Sequence, residues 1–341
     1  MQLWKPDRVY FEPEAKETEL GRRVMAYCHE HRIEILETSS HNQIRNLPGK
    51  NEGEKYAAAK KSLVVGIKRS MKLEVCRPSA DYQFSLMTNC PGHCEYCYLF
   101  TTQGRKPYVR IYANLEDLFE TIDQYIEKRP DRPTLFEAAS TGDPLGVEHI
   151  TGTLRQTIEH FGQLSMGRLR VVTKFTNVDS LLDAAHNRHT TFRFSVNTPS
   201  VIQSFEHNVP GLTERIEAAR KMAESGYPLG FIVAPIFLQG NWQQEYTTML
   251  EEMATLLGKM REKPIGFELI QHRFTMNAKG IIETRFPKTQ LDMNPETRSK
   301  KWGKYGRVKY VYPKAQAQEG KAYLEETIRK LFPRGRVKYF T

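Results

Sequence analysis

The sequence predicts an α/β fold in which strands and helices alternate around a mainly parallel sheet. Two observations carry this prediction. From residue 81 onward, short strand-like runs alternate with longer runs of helical periodicity, and six such β–α units follow one another. Units of this kind build either an open doubly wound sheet or a partial barrel, and in both the ligands collect at the carboxyl ends of the strands.

Residues 1–80 predict a small N-terminal α/β lobe. They contain one helical pattern, EAKETELGRRVMAYCHEHR (14–32), and two strand-like runs, IEILET (33–38) and KKSLVVGIK (60–68). Cys28 and Cys76 each stand alone in this lobe, and we expect both to be buried, inert thiols.

Residues 81–285 predict the barrel. Its strands are expected at YQFSLMT (82–88), PTLFEAA (133–139), LRVVTKF (169–175), TFRFSVN (191–197), PLGFIVAPI (228–236) and IGFELIQ (265–271). Its helices are expected at NLEDLFETIDQYIEK (114–128), GTLRQTIEHF (152–161), VDSLLDAAH (178–186), LTERIEAARKMAES (212–225) and QEYTTMLEEMATLLGKM (244–260).

Residues 286–341 predict a basic C-terminal extension. The chain has a formal net charge of +10, and from Lys288 to Thr341 14 Lys and Arg residues face 5 Asp and Glu residues, a surplus of 9. RSKKWGKYGRVKYVYPK (298–314) contains no acidic residue and places aromatic rings among its cations. Cations that neutralise phosphates, beside rings on which bases stack, are typical of nucleic-acid binding. A solvated basic face is the alternative.

A hairpin is predicted within this extension. The alternation of GKYGRVKYVY (303–312) favours two strands joined at a Gly303–Gly306 turn, whose tip exposes Lys304 and Tyr305. Such a tip could enter a groove of DNA or wedge beside a base.

The sequence predicts neither a secreted nor a membrane-spanning chain. The first residues lack the basic and apolar regions of a secretory signal, and the longest uncharged apolar run, GFIVAPIFL (230–238), is shorter than the roughly 20 residues that cross a bilayer. We therefore expect a cytoplasmic protein without a membrane partner. In a reducing compartment, clustered cysteines indicate a metal or redox site rather than disulfides.

Three of the five cysteines lie together, directly after the first barrel strand. Cys90, Cys94 and Cys97 have the spacing C-x3-C-x2-C. Thiolates are soft ligands for zinc or for iron–sulfur clusters. His93 would complete a four-ligand zinc site, whereas a 4Fe-4S cluster held by three cysteines leaves one iron open to another ligand.

This spacing, with Tyr96 before the third cysteine, resembles the signature of the radical S-adenosylmethionine (SAM) superfamily. The resemblance implies a partial (β/α)6 TIM-type barrel, a 4Fe-4S cluster on the three cysteines and SAM as cofactor. It implies SAM contacts from Tyr96 and Ala234, from the segment after the second strand and from the ends of the third and fourth strands: Thr141, Gly142, Asp143, Lys174, Ser195 and Asn197.

CPGHCEYCYLF (90–100), the FEAA and TGDP segments around residue 140, FRFSVNTP (192–199) and the basic hairpin together resemble the spore photoproduct lyase family. The resemblance implies a carbon–carbon lyase that repairs 5-thyminyl-5,6-dihydrothymine, the ultraviolet thymine dimer of spore DNA, through a 5′-deoxyadenosyl radical. In that family Tyr98 is a candidate hydrogen relay, with a core tyrosine as the alternative.

One position departs from the family. After FEAA the family has a cysteine, which is thought to donate a hydrogen atom to the product radical, and this chain has Ser140. A serine O–H bond is stronger than a thiol S–H bond. Position 140 therefore predicts a Cys-to-Ser variant, natural or engineered, that still binds the cluster, SAM and DNA and is impaired in the last hydrogen transfer.

The resemblance also implies partners. Double-stranded DNA carrying the lesion would contact Arg273, Lys301, Trp302, Lys304, Tyr305 and Arg307. We expect a flavodoxin or ferredoxin as electron donor, a monomer, and a location in the spore core of a spore-forming bacterium. Two alternatives stay open at this point: a radical SAM enzyme that acts on RNA or a peptide, and a nucleic-acid-binding protein stapled by zinc.

Overall fold

A computed structural model describes residues 3–45, 47–99, 107–138, 140–302 and 308–341. The chain forms two compact units. Unit 1 comprises residues 1–91 and 103–191, and unit 2 comprises residues 92–102 and 192–341. The division into segments 1–80, 81–285 and 286–341 stays a prediction.

Unit 1 contains a five-stranded sheet in the order β2, β1, β3, β8, β6. The first four strands of that order are parallel, and β6 is antiparallel to β8. The strands are β1 (Arg8–Phe11), β2 (Glu34–Glu37), β3 (Ser62–Gly66), β6 (Met87–Thr88) and β8 (Val109–Tyr112). This lobe thus includes two strands from beyond residue 80, of which β8 was not predicted.

The helix predicted at 14–32 is broken in the structure. It forms α1 (Pro13–Lys16) and α2 (Glu19–Glu30), because the Thr18 hydroxyl accepts the Gly21 N–H at 2.9 Å and caps the start of α2. The third helix of the lobe is α3 (Glu52–Lys60).

The remaining strands of unit 1 pack beside three more helices. β5 (Tyr82–Gln83), β9 (Thr134–Glu137) and β10 (Gly167–Thr173) run parallel, and β4 (Glu74–Val75) is antiparallel to β5. The helices are α4 (Leu115–Glu127), α5 (Glu148–Thr151) and α6 (Thr153–Gln163). The predicted strand 82–88 is divided between β5 and β6.

One predicted helix, 178–186, is a single 3-10 turn at Asp179–Leu181. Its buried residues Val178, Leu181 and Ala184 recur every third position. That spacing matches the three residues per turn of a 3-10 helix rather than the 3.6 of an α-helix.

Unit 2 contains four parallel strands, of which β11 begins at the unit boundary. Their order is β11 (Thr190–Val196), β13 (Leu229–Ile236), β14 (Ile265–Gln271) and β17 (Gly335–Phe340). Their helices are α7 (Pro199–Phe205), α8 (Leu212–Glu224), α9 (Trp242–Leu257), α10 (Met276–Arg285) and α11 (Lys314–Leu331). The last strand was not predicted, and it lies in the segment assigned to the basic extension.

The predicted hairpin is present in unit 2. β15 (Ser299–Trp302) pairs antiparallel with β16 (Val308–Val311). The predicted turn Gly303–Gly306, with Lys304 and Tyr305, lies outside the described residues, as does Arg307. Across the described part of the chain, every helix is too short or too polar to span a bilayer.

Candidate functional site

The segment Ser140–Pro144 follows β9 and is bound tightly to the strand that leads to Cys90. The Thr141 hydroxyl donates to the Met87 carbonyl at 2.9 Å and lies 2.7 Å from the Ser85 hydroxyl, and the Thr141 carbonyl accepts the Asn89 N–H at 2.8 Å. A Cβ at Gly142 would collide with the Asn89 carbonyl oxygen. The glycine is therefore needed for this close approach of two backbones.

Asp143 fixes the other end of this segment. Its carboxylate accepts the Thr173 hydroxyl at 2.8 and 3.0 Å and the Lys174 N–H at 2.8 Å. Burial raises the pKa of Asp143 to about 6, against the lowering effect of these hydrogen bonds. Asp143 thus joins residues 140–144 to the end of β10, where Lys174 lies half-buried.

Cys90 is the one cysteine of the motif that belongs to unit 1. Its carbonyl accepts a hydrogen bond from the Lys60 ammonium group. The preceding Asn89 has a left-handed backbone with φ of 64°, and its side chain donates to the Tyr108 carbonyl at 2.9 Å. These contacts fix the backbone immediately before the first thiol.

The other two cysteines of the motif lie in unit 2. Cys94 is buried in β7 (His93–Cys94), which pairs with β12 (Glu206–His207), and the Cys97 N–H donates to the Cys94 carbonyl at 3.2 Å. All five cysteines lie in the described residues and none forms a disulfide. Within those residues, no three His, Cys, Asp or Glu side chains are already gathered around a metal position.

Tyr96 belongs to a buried ion-pair network that sequence reasoning missed. Its hydroxyl donates to Glu206, whose other carboxylate oxygen lies 2.6 Å from Arg215 Nη2. Arg215 is fully buried and also donates to the Ser195 carbonyl at 3.0 Å. Burial, and then the charge of Glu206, raise the pKa of Tyr96. The available signal was Arg215 itself, a cation on the apolar face of α8 between Leu212 and Ile216.

Ser195, Asn197 and Ala234 lie on two neighbouring parallel strands or at their ends. Ser195 is opposite Ile232 in the register of β11 and β13. The Asn197 side chain donates to the Pro235 carbonyl at 2.7 Å and accepts the Tyr246 hydroxyl at 3.2 Å. Ala234 is half-buried. The structure therefore brings these three predicted residues to one region of unit 2.

Tyr98 and Ser140 differ in exposure. Tyr98 is 61% exposed, so the alternative of a core tyrosine is wrong. Ser140 is half-buried, just beyond the end of β9.

Two polar residues, Glu268 in β14 and His272 directly after it, are buried in unit 2. Glu268 accepts Arg193 Nη1 at 2.9 Å and the Tyr339 hydroxyl at 2.6 Å. Burial, with Arg298 nearby, lowers the pKa of His272 to about 3, so this ring is neutral at physiological pH. Arg273, the next residue in the chain, is exposed.

The described part of the hairpin presents cations and an exposed indole. Lys301 is opposite Lys309, and Trp302 is 74% exposed. Burial, with Arg273 and Lys301 nearby, lowers the pKa of Lys309. The hairpin is anchored by Phe274, which pairs with Tyr310 through two backbone hydrogen bonds of 3.2 and 2.8 Å. Cations held close together repel one another, so an anionic partner that neutralises them is favoured at this surface.

The cysteine loop meets the chemical requirements of an iron–sulfur cluster. It offers three thiols on a backbone that is fixed before Cys90 by Asn89 and at Cys94 by strand pairing. Thiolate is the ligand type that such clusters use.

Comparison with known proteins identifies close relatives over the whole chain. A family model for spore photoproduct lyase matches residues 4–341. The spore photoproduct lyase of Bacillus subtilis (strain 168) is 47% identical over 98% of this chain and 98% of its own length, and that of Geobacillus sp. (strain Y412MC61) is 47% identical over 100% of each.

Two solved spore photoproduct lyase structures resemble the fold closely. Each is 47% identical, covers 100% of both chains and gives a TM-score of 0.97. In one, the relative's cysteine at position 140 is replaced by alanine and its serine at position 76 by cysteine, with AdoMet and dinucleoside spore photoproduct bound. In the other, the cysteine at position 140 is replaced by serine.

Proposed function

Because the chain belongs to the spore photoproduct lyase family, we infer that it repairs the spore photoproduct, 5-thyminyl-5,6-dihydrothymine, in DNA. It is a radical SAM carbon–carbon lyase, and its cofactors are SAM and a 4Fe-4S cluster. The predicted fold class is confirmed: a mixed α/β chain with the curled half-barrel sheet of eight strands typical of this enzyme. Membership of this family rules out the two alternatives left open by the sequence: a radical SAM enzyme that acts on RNA or a peptide, and a nucleic-acid-binding protein stapled by zinc.

We propose that Cys90, Cys94 and Cys97 hold the cluster. When bound, the cluster and SAM together supply the 5′-deoxyadenosyl radical. The protein's contribution is to hold the three thiols and to exclude water from the reacting atoms. Tyr96 is held by Glu206 and Arg215, so its ring is positioned before any ligand binds.

We propose that SAM is bound by polar groups at strand ends. The polar segment Thr141, Gly142 and Asp143 is bonded to the strand before the cluster loop and to the end of β10, which supports a role in holding the methionine part. Lys174 offers a cation to its carboxylate. Ser195, Asn197 and Ala234 are further proposed contacts, and Asn197 is held in place by Tyr246.

We propose that the hairpin grips the lesion-bearing duplex. Its exposed Lys301 and Trp302, with Arg273, support phosphate neutralisation and stacking. Lys304, Tyr305 and Arg307 extend the same basic and aromatic sequence. A lesion that is poorly paired leaves the duplex stack at a lower energetic cost than a normal base pair.

We further propose a flavodoxin or ferredoxin as reductant, a monomeric enzyme, and a place in the spore core. The formal net charge of +10 supports attraction to an acidic electron carrier as well as to DNA.

The observation that carries this function is the family match over residues 4–341, together with the three thiols of the cysteine loop. The test is anaerobic incubation of the purified protein with SAM, dithionite and a synthetic dinucleotide that carries the lesion. Mass analysis should show the lesion converted to the dithymine dinucleotide. A protein that contains iron and sulfide and leaves the lesion intact would contradict the proposal.

A further inference from the structure

Two neighbouring lysines at the end of α3 have opposite environments. Lys60, the last residue of the helix, is 4% exposed, whereas the side chain of Lys61 is 64% exposed. Lysine is rarely buried, because its ammonium group loses its hydration unless a partner replaces the water. The position of Lys60 therefore indicates a role for its charge that the exposed Lys61 cannot fill.

The Lys60 ammonium group is directed at the cysteine loop. Its Nζ donates to the carbonyl oxygen of Cys90, the residue that offers the first thiol of the motif. Both residues belong to unit 1. The carbonyl and the thiol of one residue are separated by only a few covalent bonds, so a metal site on the Cys90 sulfur has this cation as a close neighbour.

The surroundings of Lys60 are apolar. The residue before it, Ala59, belongs to a buried hydrophobic core that includes Tyr108. The Tyr108 carbonyl accepts the Asn89 side chain at 2.9 Å, so this core is joined to the residue before Cys90. In a region of low dielectric constant a charge acts more strongly on its neighbours than at the surface, and salt screens it less.

The charge balance of the proposed cluster site gives such a cation a function. Three thiolates leave a 4Fe-4S cluster with a net negative charge, and reduction adds one more negative charge. A nearby cation therefore stabilises the reduced form more than the oxidised form. Net charge, hydrogen bonding and burial are the means by which a protein sets the reduction potential of a cluster.

We propose that Lys60 sets the reduction potential of the cluster, because its positive charge beside Cys90 stabilises the reduced form. One electron passes from the flavodoxin or ferredoxin donor to the cluster, and no bond to Lys60 forms or breaks. This inference rests on the proposed function, since it takes Cys90, Cys94 and Cys97 as the cluster ligands. Lys60 acts through Cys90 rather than on the reacting atoms, and in this sense it is a positioning residue.

Potentiometric titration of the anaerobically reconstituted full chain tests this proposal. Dithionite is the reductant, and the electron paramagnetic resonance signal of the reduced cluster is the readout. SAM is left out, so that the electron stays on the cluster. Lys60→Met keeps most of the apolar side chain and removes its charge. It should make reduction about tenfold less favourable, which for one electron is a midpoint potential about 59 mV more negative.

Three further variants separate the charge of Lys60 from its shape. Lys60→Arg keeps a permanent charge and should keep the wild-type potential. Lys60→Gln offers the Cys90 carbonyl a neutral donor, and its potential should shift as in Lys60→Met. Lys61→Met is the matched control, because water screens this exposed charge, and its potential should equal that of the wild type. Iron and sulfide are measured in every variant, so that each potential refers to loaded protein.

The possible failures are distinguishable. A wild type that takes up neither iron nor sulfide overturns the proposed cluster and this inference with it. If loaded Lys60→Met or Lys60→Gln has the wild-type potential, the charge of Lys60 does not set the potential, and the proposed function stands. If neither neutral variant takes up iron, full loading of Lys60→Arg supports the need for the charge, and an arginine variant that also stays empty overturns it.

Discussion

At the scale of single residues, the buried charges are the most constrained groups. Arg215 and Glu206 are both inaccessible to solvent and form an ion pair at 2.6 Å that also holds the Tyr96 hydroxyl. A buried pair of this kind is weak evidence of net stabilisation, but removal of one partner leaves an uncompensated charge in a medium of low dielectric constant. The pair therefore makes the position of Tyr96 dependent on a residue more than one hundred positions away in the sequence.

We predict that Arg215→Met lowers the free energy of unfolding by about 3–5 kcal/mol, because Glu206 is left buried and unpaired. Urea denaturation measures this change. The control is Arg220→Met on the same helix, where the ion pair with Glu224 is exposed and the loss should stay within about 0.5 kcal/mol. Equal effects of the two substitutions would contradict a special role for the buried pair.

Asp143 should make stability depend on pH. Its pKa rises from 3.8 in the unfolded chain to about 6 in the folded protein. The folded state therefore binds the proton more tightly, and the resulting stabilisation is complete below the unfolded pKa and is lost as pH rises through about 6.

We predict that, between pH 5 and 7, the wild type loses about 1 kcal/mol more than Asp143→Asn. Urea titrations of both proteins at the two pH values measure the difference. Asp183→Asn is the control, because that carboxylate is exposed and its Arg155 partner lowers its pKa. A pH dependence that is the same in wild type and Asp143→Asn would show that Asp143 is not the source.

At the scale of elements, two short segments outside the cysteine loop carry the proposed contacts to SAM and DNA, and each is held by a neighbour. The segment 140–144 is bonded to the strand before Cys90, and the hairpin is paired through Tyr310 to Phe274. Both segments are loops or edges, which need such partners to keep a defined geometry.

We predict that Gly142→Ala lowers stability by about 1–3 kcal/mol, because its Cβ would overlap the Asn89 carbonyl and crowd the Met87 side chain. It should also reduce the iron and sulfide content after anaerobic reconstitution, since Asn89 precedes Cys90. Gly280→Ala is the matched control: no heavy atom lies within 4 Å of its Cβ, and the helix should gain up to about 1 kcal/mol. Full cluster loading in Gly142→Ala would argue against this coupling.

We predict that Lys301→Ala weakens binding to any DNA sequence and reduces the slope of log affinity against log salt by about 1, as expected for one lost phosphate contact. Fluorescence anisotropy across a salt series measures the slope. Lys330→Ala is the control, because Lys330 is paired with Glu326 at 2.6 Å on an exposed helix. An unchanged slope in Lys301→Ala would remove this lysine from the interface.

At the scale of the whole molecule, the excess positive charge is concentrated in the C-terminal segment. The last 54 residues carry 9 of the 10 excess positive charges, yet they also supply β17, which pairs with β14. The C-terminal segment therefore contributes both to the sheet of unit 2 and to the basic surface, two roles that its sequence does not separate.

The sequence by itself determined the cluster motif, the succession of strands and helices and the hairpin. Each of these follows from the spacing of neighbouring residues: cysteines separated by three and by two residues, apolar periodicity, and alternation after two glycines. The limits of such local patterns appear at residues 178–186, where a helical pattern yields one 3-10 turn, and at Val109–Tyr112, which gave no recognised signal.

Only the tertiary structure decided which polar groups are buried and which residues they bind. It paired Arg215 with Glu206 beside Tyr96, closed Asp143 onto Thr173 and Lys174, and bonded Thr141 to Met87. The physical reason is that desolvation and hydrogen bonding depend on contacts between residues far apart in the chain. Residue type and spacing identify the reactions or ligands that suit a side chain. Its surroundings in the folded protein set its charge, its orientation and the groups that it can contact.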